Sequence, residues 1–257
     1  MKRLLIFFLL LFLIVPACAE DSTLPDTTYD LAPLVTLKEG EELHLTLESS
    51  YYSGETVYKG STGKVLTGAC ALHCAAVTIT NLTGKTVTGQ DAARANNVSK
   101  TSGKYWSAFV SWGKLGNSFG VDFESFNLAQ YGARLRANGV GTTERRQKKL
   151  DTIVEALETY ASKSGLIVHF NATGKLNGSG KRHAVVVVGY IKKDDAVSDL
   201  LLSDSSVPAP TGACVRLSQS SLPLSMLGEK KLAKTEESDL PAILMDYAVS
   251  YRYVFAE

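Results

Sequence analysis

The sequence predicts an α+β protein, and three observations carry the prediction. Thr67–Gly84, TGACALHCAAVTITNLTG, is apolar on nearly every side of a helical wheel, the pattern of a helix buried all round. Thr143–Lys163 has a helical period with one apolar face, Leu150, Ile153, Val154, Leu157 and Tyr160. Beyond Gly165 the apolar runs become short and strand-like. Helices thus dominate the first half and strands the second, so a central cysteine-bearing helix is expected to pack on an antiparallel sheet from the second half.

The chain has 257 residues, 45% hydrophobic and 21% charged, enough for one large domain with decorations. Three parts are expected: 1–19, 20–48 and 49–257. MKRLLIFFLLLFLIVPACAE joins a basic start, an apolar run and small residues at Ala17-Cys18-Ala19, the pattern of a secretory signal cleaved after Ala19. Lipid anchoring at Cys18 is the alternative, with Pro16 as its poor fit. Without Lys2 and Arg3 the basic residues fall one short of the 26 acidic ones, which gives no electrostatic case for nucleic acid. Cys70, Cys74 and Cys214 then remain. An odd count in an oxidising compartment leaves at least one thiol unpaired within the chain. Cys70 and Cys74, one helical turn apart, are poorly placed to bridge, so any disulfide that leaves Cys70 free joins Cys74 to Cys214.

Taken in order, residues 20–33 are polar and proline-punctuated, a flexible tether. Leu43–Leu47 alternates as a strand, in which His44 is an ordinary partly buried residue. Ser49–Lys64 reads as a loop leading to the cysteine helix; Tyr51, Tyr52 and Tyr58 in it either line a cleft or cover core. Gly89–Ala95 and Lys104–Leu115 read as helices, and Trp106 and Trp112 either stack a ligand or pack the core. Val121–Arg136 reads as partly helical. The basic cluster Arg145–Lys149 belongs to a solvated helix face with interleaved acids. Leu166–Phe170 is a strand holding a structural His169, Asn171–Lys181 a loop, and His183–Ile191 a long apolar strand. After a charged turn at Lys192–Asp195, Leu200–Leu202 forms a strand ending at Ser203-Asp204. Cys214–Leu217 and Tyr247–Phe255 are further strands; Ser221–Pro241 has no clear period.

Three polar residues stand at the junctions of these apolar elements. Cys70 opens the buried helix, where unsatisfied N–H groups and the helix dipole favour thiolate; taken alone, it reads first as a small core residue or half of a disulfide. His183 heads the strand HAVVVVGY, and Asp204 closes the next strand. An activated thiol needs a base within reach, and the base needs a third group to fix its tautomer and orientation. Antiparallel neighbours bring the end of one strand near the start of the other. Cys74, one turn into the helix, is screened from substrate. His73 projects away from the Cys70–Cys74 line, so Cys70, His73, Cys74 and His183 do not form a zinc set.

Cys70-Ala71-Leu72-His73-Cys74-Ala75-Ala76-Val77 with Gly84, the His183–Tyr190 strand and Asp204 resemble the papain-like cysteine peptidases, and most closely the bacterial branch that processes bacteriocin leaders. The resemblance spans roughly 64–217. It implies a papain-like fold and an exported peptidase or related amide hydrolase with Cys70 as nucleophile, His183 as base and Asp204 as its orienter. It implies a peptide or protein substrate and no metal or organic cofactor. Two departures stand out. No Gln lies between Glu48 and Cys70, and Lys64 occupies about the place of the family's oxyanion-stabilising Gln. Ala71 stands where a Gly often follows the nucleophile. Thr67 is placed to cap the Cys70 N–H, the remaining oxyanion donor. The rival expectation is a catalytically impaired relative that binds a peptide or an envelope component.

Overall fold

The computed structural model describes residues 27–53, 57–59, 65–67, 70–96 and 110–256. The signal and Cys18, Lys64, Tyr105 and Trp106 lie outside them, as do the side chains of Tyr58 and Thr67. The chain begins with strand β1 (Thr27–Asp30), then β2 (Glu41–Leu45), β3 (Ser49–Tyr52), β4 (Val57–Lys59) and β5 (Val65–Thr67). Helices α1 (Cys70–Thr83), α2 (Gly89–Ala95) and α3 (Trp112–Phe119) follow, then β6 (Val121–Phe126), α4 (Leu128–Ala137) and α5 (Thr142–Tyr160). Next come β7 (Leu166–Asn171), β8 (Arg182–Lys193), β9 (Ala196–Ser203) and β10 (Val215–Arg216). Short helices α6 (Leu222–Leu227), α7 (Glu229–Leu232) and α8 (Leu240–Leu244) precede the closing strand β11 (Ala248–Ala256).

The fold is α+β with antiparallel pairing throughout its main sheet. That sheet runs β10-β9-β8-β7-β11-β6, with β2 also paired to β8. Successive side chains in a strand face opposite sides, which explains why β8 is apolar without interruption. Val185 and Val187 pack with Leu150, Ile153 and Leu157 of α5, together with Leu166, Val168 and Phe170 of β7. Ala184, Val186 and Val188 pack with Cys70, Cys74 and Val77 of α1. Each fully buried valine of this run contributes on the order of 1.5–3 kcal/mol.

Helix α1 is apolar all round for a similar reason. Its Cys74–Val77 side meets the sheet, while Leu72, Ala75 and Ile79 meet Ala92 of α2 and Leu115 of α3. α2 is fixed by a reciprocal cap in which the Thr88 hydroxyl accepts from the Asp91 N–H and the Asp91 carboxylate accepts from the Thr88 N–H.

Several expectations need correction. The reading of residues 20–33 as a flexible tether fails from Thr27 onward, because β1 pairs with β3 and Leu31 is fully buried. Ser49–Lys64 is not simply a loop, since it holds β3, β4 and part of the β4–β5 hairpin. These strands are stabilised by partners elsewhere in the chain, which local composition does not reveal. Residues 104–109 of the helix expected at Lys104–Leu115 lie outside the described residues; α3 runs from Trp112 past Leu115 to Phe119, where Gly120 adopts the left-handed conformation that ends it. Val121–Arg136 divides into strand β6 and helix α4, joined where the Asn127 side chain caps the helix by accepting from the Gln130 N–H. The expected division into a helical first half and a stranded second half is also too simple, because β1–β6 lie in the first half and α6–α8 in the second.

Candidate active site

The strand register brings His183 and Asp204 together. Val186 pairs with Ser203 across β8 and β9, so Asp204, which follows β9, stands opposite Val185, two residues from His183. The His183 Nε2–H donates to Asp204 Oδ1 at 2.7 Å. The remaining ring nitrogen, Nδ1, is left for Cys70, whose thiol shares a hydrogen bond with His183. Cys70 opens α1 and lies against β8, with the backbone amides of Ala184 and Ala71 also directed at its sulfur. All three residues are buried, with Cys70 and His183 each retaining a sliver of exposure.

Burial would raise the Cys70 thiol, but the hydrogen bond and positive charge of His183, with the two amides, outweigh it and lower the pKa. Burial would likewise lower His183; the hydrogen bond to Asp204 and the interaction with Cys70 prevail and raise it. Both directions favour a thiolate–imidazolium pair.

Asp204 is held as a carboxylate by four hydrogen bonds. Oδ1 accepts from His183 and from the Ser206 N–H at 2.9 Å; Oδ2 accepts from the Ser221 N–H at 3.1 Å and its hydroxyl at 2.8 Å. Burial opposes the charge, yet these donors and the charge of His183 keep the pKa well below the ordinary carboxylate value. The backbone is pinned too. The Asp204 N–H donates to the Gly212 carbonyl at 2.8 Å, and the Tyr52 hydroxyl donates to the Val207 carbonyl at 2.7 Å.

Behind this loop lies His73, fully buried. Its Nδ1 faces the Ser53 carbonyl at 3.1 Å and must carry the proton; its Nε2 faces the Ser203 hydroxyl at 3.2 Å and accepts. Burial holds this imidazole neutral, its pKa lowered to about 4. Its two nitrogens therefore tie Ser53, just after β3, to Ser203, the last residue of β9 before Asp204. Cys74 is fully buried, and burial followed by the negative charges of Cys70 and Asp204 raises its thiol well above the ordinary value. Burial raises Cys214 to about 12. Cys70, Cys74 and Cys214 are all free, so the Cys74–Cys214 bridge is not formed.

Cys70 and His183 open onto a cleft of about 220 Å³. Asn171, Leu176 and Asn177 from the β7–β8 loop line one part of it; Trp112, His169, Ser250 and Arg252 line another. Trp112, open in the sequence between stacking a ligand and packing the core, packs partly against the cores on α1 and also lines the cleft. His169, read as structural, also lines the cleft. It shares the Ile167 side of β7, where β11 places Ser250 opposite His169 and Arg252 opposite Ile167. Strand parity could have found His169, and an arginine amid the apolar residues of Tyr247–Phe255 was a visible signal for Arg252. Ser206 and Ser221 carried no such signal, because their roles depend on loop geometry. The sequence matches no protein-family model and no curated protein.

Proposed function

We propose that this chain is an exported, papain-like thiol hydrolase, a cysteine peptidase or related amide hydrolase. The observation that carries the reading is the linked set Cys70, His183 and Asp204 at the mouth of a cleft. The Cys70 thiolate attacks the amide carbonyl carbon, and the carbonyl π electrons move to oxygen. His183, protonated in the resting pair, gives its proton to the leaving amine as the C–N bond breaks and a thioester remains. His183 then takes a proton from water as the water attacks the thioester and keeps it as the C–S bond breaks and the acid leaves, which restores the Cys70 thiolate beside a protonated His183. Asp204 fixes the imidazole with Nε2–H toward itself and balances its charge. The Cys70 N–H at the start of α1 supplies one oxyanion donor.

A second reading, a binding module that has kept the fold, is favoured by the absent Gln ahead of Cys70. Iodoacetamide labelling of the folded protein across pH, mapped by mass spectrometry, separates the two. In a competent site Cys70 labels rapidly in mild acid, where an ordinary thiol of pKa ~8.5 is almost wholly protonated. Labelling falls only as the pH drops through the lowered thiol pKa. In His183→Ala, burial is opposed only by the Ala184 and Ala71 amides and labelling moves to higher pH. Hydrolysis, once a substrate is found, rises as Cys70 loses its proton and falls as His183 loses its own. A slow Cys70 that His183→Ala leaves unchanged rejects the hydrolase and favours the binding module.

A further inference from the structure

Two arginines near the main sheet, Arg216 and Arg252, have opposite surroundings. Arg216 is buried, and the Glu41 carboxylate receives its Nη1 and Nη2 at 2.8 and 2.6 Å while Asp199 receives its Nε at 3.2 Å. That is the ordinary arrangement for an arginine withdrawn from water, because an unpaired charge there is costly. Arg252 is half-buried in the cleft wall, and its Nε is fully buried with no hydrogen-bond partner among the described residues. Its guanidinium carbon lies 4.7 Å from the Trp112 ring centroid, a stack that orients the plane yet satisfies none of its N–H donors.

The rest of the lining points the same way. Arg182 lines the cleft and spends one donor on the Gly178 carbonyl at 2.9 Å. Asn171, Asn177, His169 and Ser250 add polar groups, and among the described residues no Asp or Glu lines the cleft. The positive field registers on His169, whose pKa burial lowers to about 4, with the charges of Arg252, Arg182 and His183 adding to the effect.

We propose that this cleft binds a substrate carboxylate through Arg252, aided by Arg182, and thereby selects acidic peptides. The inference rests on the hydrolase reading for its reaction, but not for its binding. Across the sheet, Ser250 lies two strands from Ala184, roughly 10 Å, and Arg252 two residues further along. An extended peptide advances about 3.4 Å per residue, so the carboxylate falls within about four residues of the scissile bond. Its source is an acidic side chain or a free C-terminus.

The test uses peptides paired as Asp/Asn and Glu/Gln at each position, each with a free or an amidated C-terminus. Binding to Cys70→Ala is read by fluorescence polarisation, and hydrolysis by the unaltered chain is read by mass spectrometry. Carboxylate peptides are expected to bind at least 10-fold more tightly than their amide partners. Arg252→Gln should bring that ratio toward one, and Arg252→Lys should restore part of it. Loss of the preference on amidation assigns the carboxylate to the C-terminus; its persistence with Asp or Glu assigns it to a side chain, and both support the subsite. Arg252-dependent binding without hydrolysis keeps the subsite and rejects the hydrolase. Hydrolysis or binding that ignores the carboxylate, or an Arg252→Gln loss equal for both members of a pair, overturns the subsite.

Discussion

Ser221 makes two contacts to one carboxylate oxygen, and it is the residue through which the α6 region reaches the triad. Removing its hydroxyl leaves Asp204 with three donors, His183 and the Ser206 and Ser221 N–H groups, so the carboxylate becomes a stronger base but a less fixed one. A hydrogen bond to a charged group is worth about 1.5–3 kcal/mol, and part of this is recovered by water. Ser221→Ala should therefore slow any hydrolysis 3- to 30-fold, roughly the effect of 0.7–2 kcal/mol, while Cys70 still labels in mild acid. Labelling and turnover measured on the same preparation check it. Equal loss of both would mean that the loop itself has collapsed. Cys70, His183 and Asp204 were legible because each ends or begins an apolar run. Ser221 was not, because a serine in an aperiodic stretch gains meaning only from the fold around it.

At the level of elements, β8 explains both what the sequence revealed and what it concealed. Its first half pairs with β7 along one edge; its second half pairs with β2 along that same edge, and β9 runs along the other. The apolar run announced a buried strand but gave no sign of β2 as its partner. Gly189 marks the changeover. A Cβ there would lie 2.5 Å from the His44 carbonyl oxygen and 2.9 Å from a Leu45 methyl, so β2 can approach only where no side chain intervenes. Gly189→Ala should cost about 1–3 kcal/mol by forced displacement of the strand, read as a lower urea midpoint with little change in slope. An unchanged midpoint would mean that β2 contributes nothing to stability. The charged turn expected at Lys192–Asp195 narrows to Asp194-Asp195, because Lys192 and Lys193 belong to β8, and its geometry is specific: Asp194 and Asp195 both have positive φ, at 52° and 61°, as a two-residue hairpin of right-handed twist requires.

Over the whole molecule, the N-terminal segment is tied to the far end of the sheet by charge as well as by pairing. Glu41 of β2 grips Arg216 of β10, which Asp199 of β9 also holds. Glu41→Ala leaves a buried guanidinium with half its partners and should destabilise the fold by about 3–5 kcal/mol, measured by chemical denaturation. Glu41→Gln should recover part of the loss, and a neutral result for both would show that water replaces the pair. The α+β class was legible from periodicity because each long helix and strand records its own burial. The order of the strands, the use of residues 27–33 and the partnership of Glu41 with Arg216 were not, since they join residues far apart in the chain and leave no local mark.

The division of one edge of β8 between β7 and β2 also has a consequence in time. A chain made from its N-terminus emerges with β2 and α1 long before β8, so β2 has no edge to join and α1 no sheet to cover until most of the protein exists. Closing so long a loop makes such pairing late. During that interval Cys70 lacks both His183 and the Ala184 amide and is an ordinary thiol. Its imidazole partner arrives only with β8, so on the proposed hydrolase reading the unfinished chain carries no activated thiol.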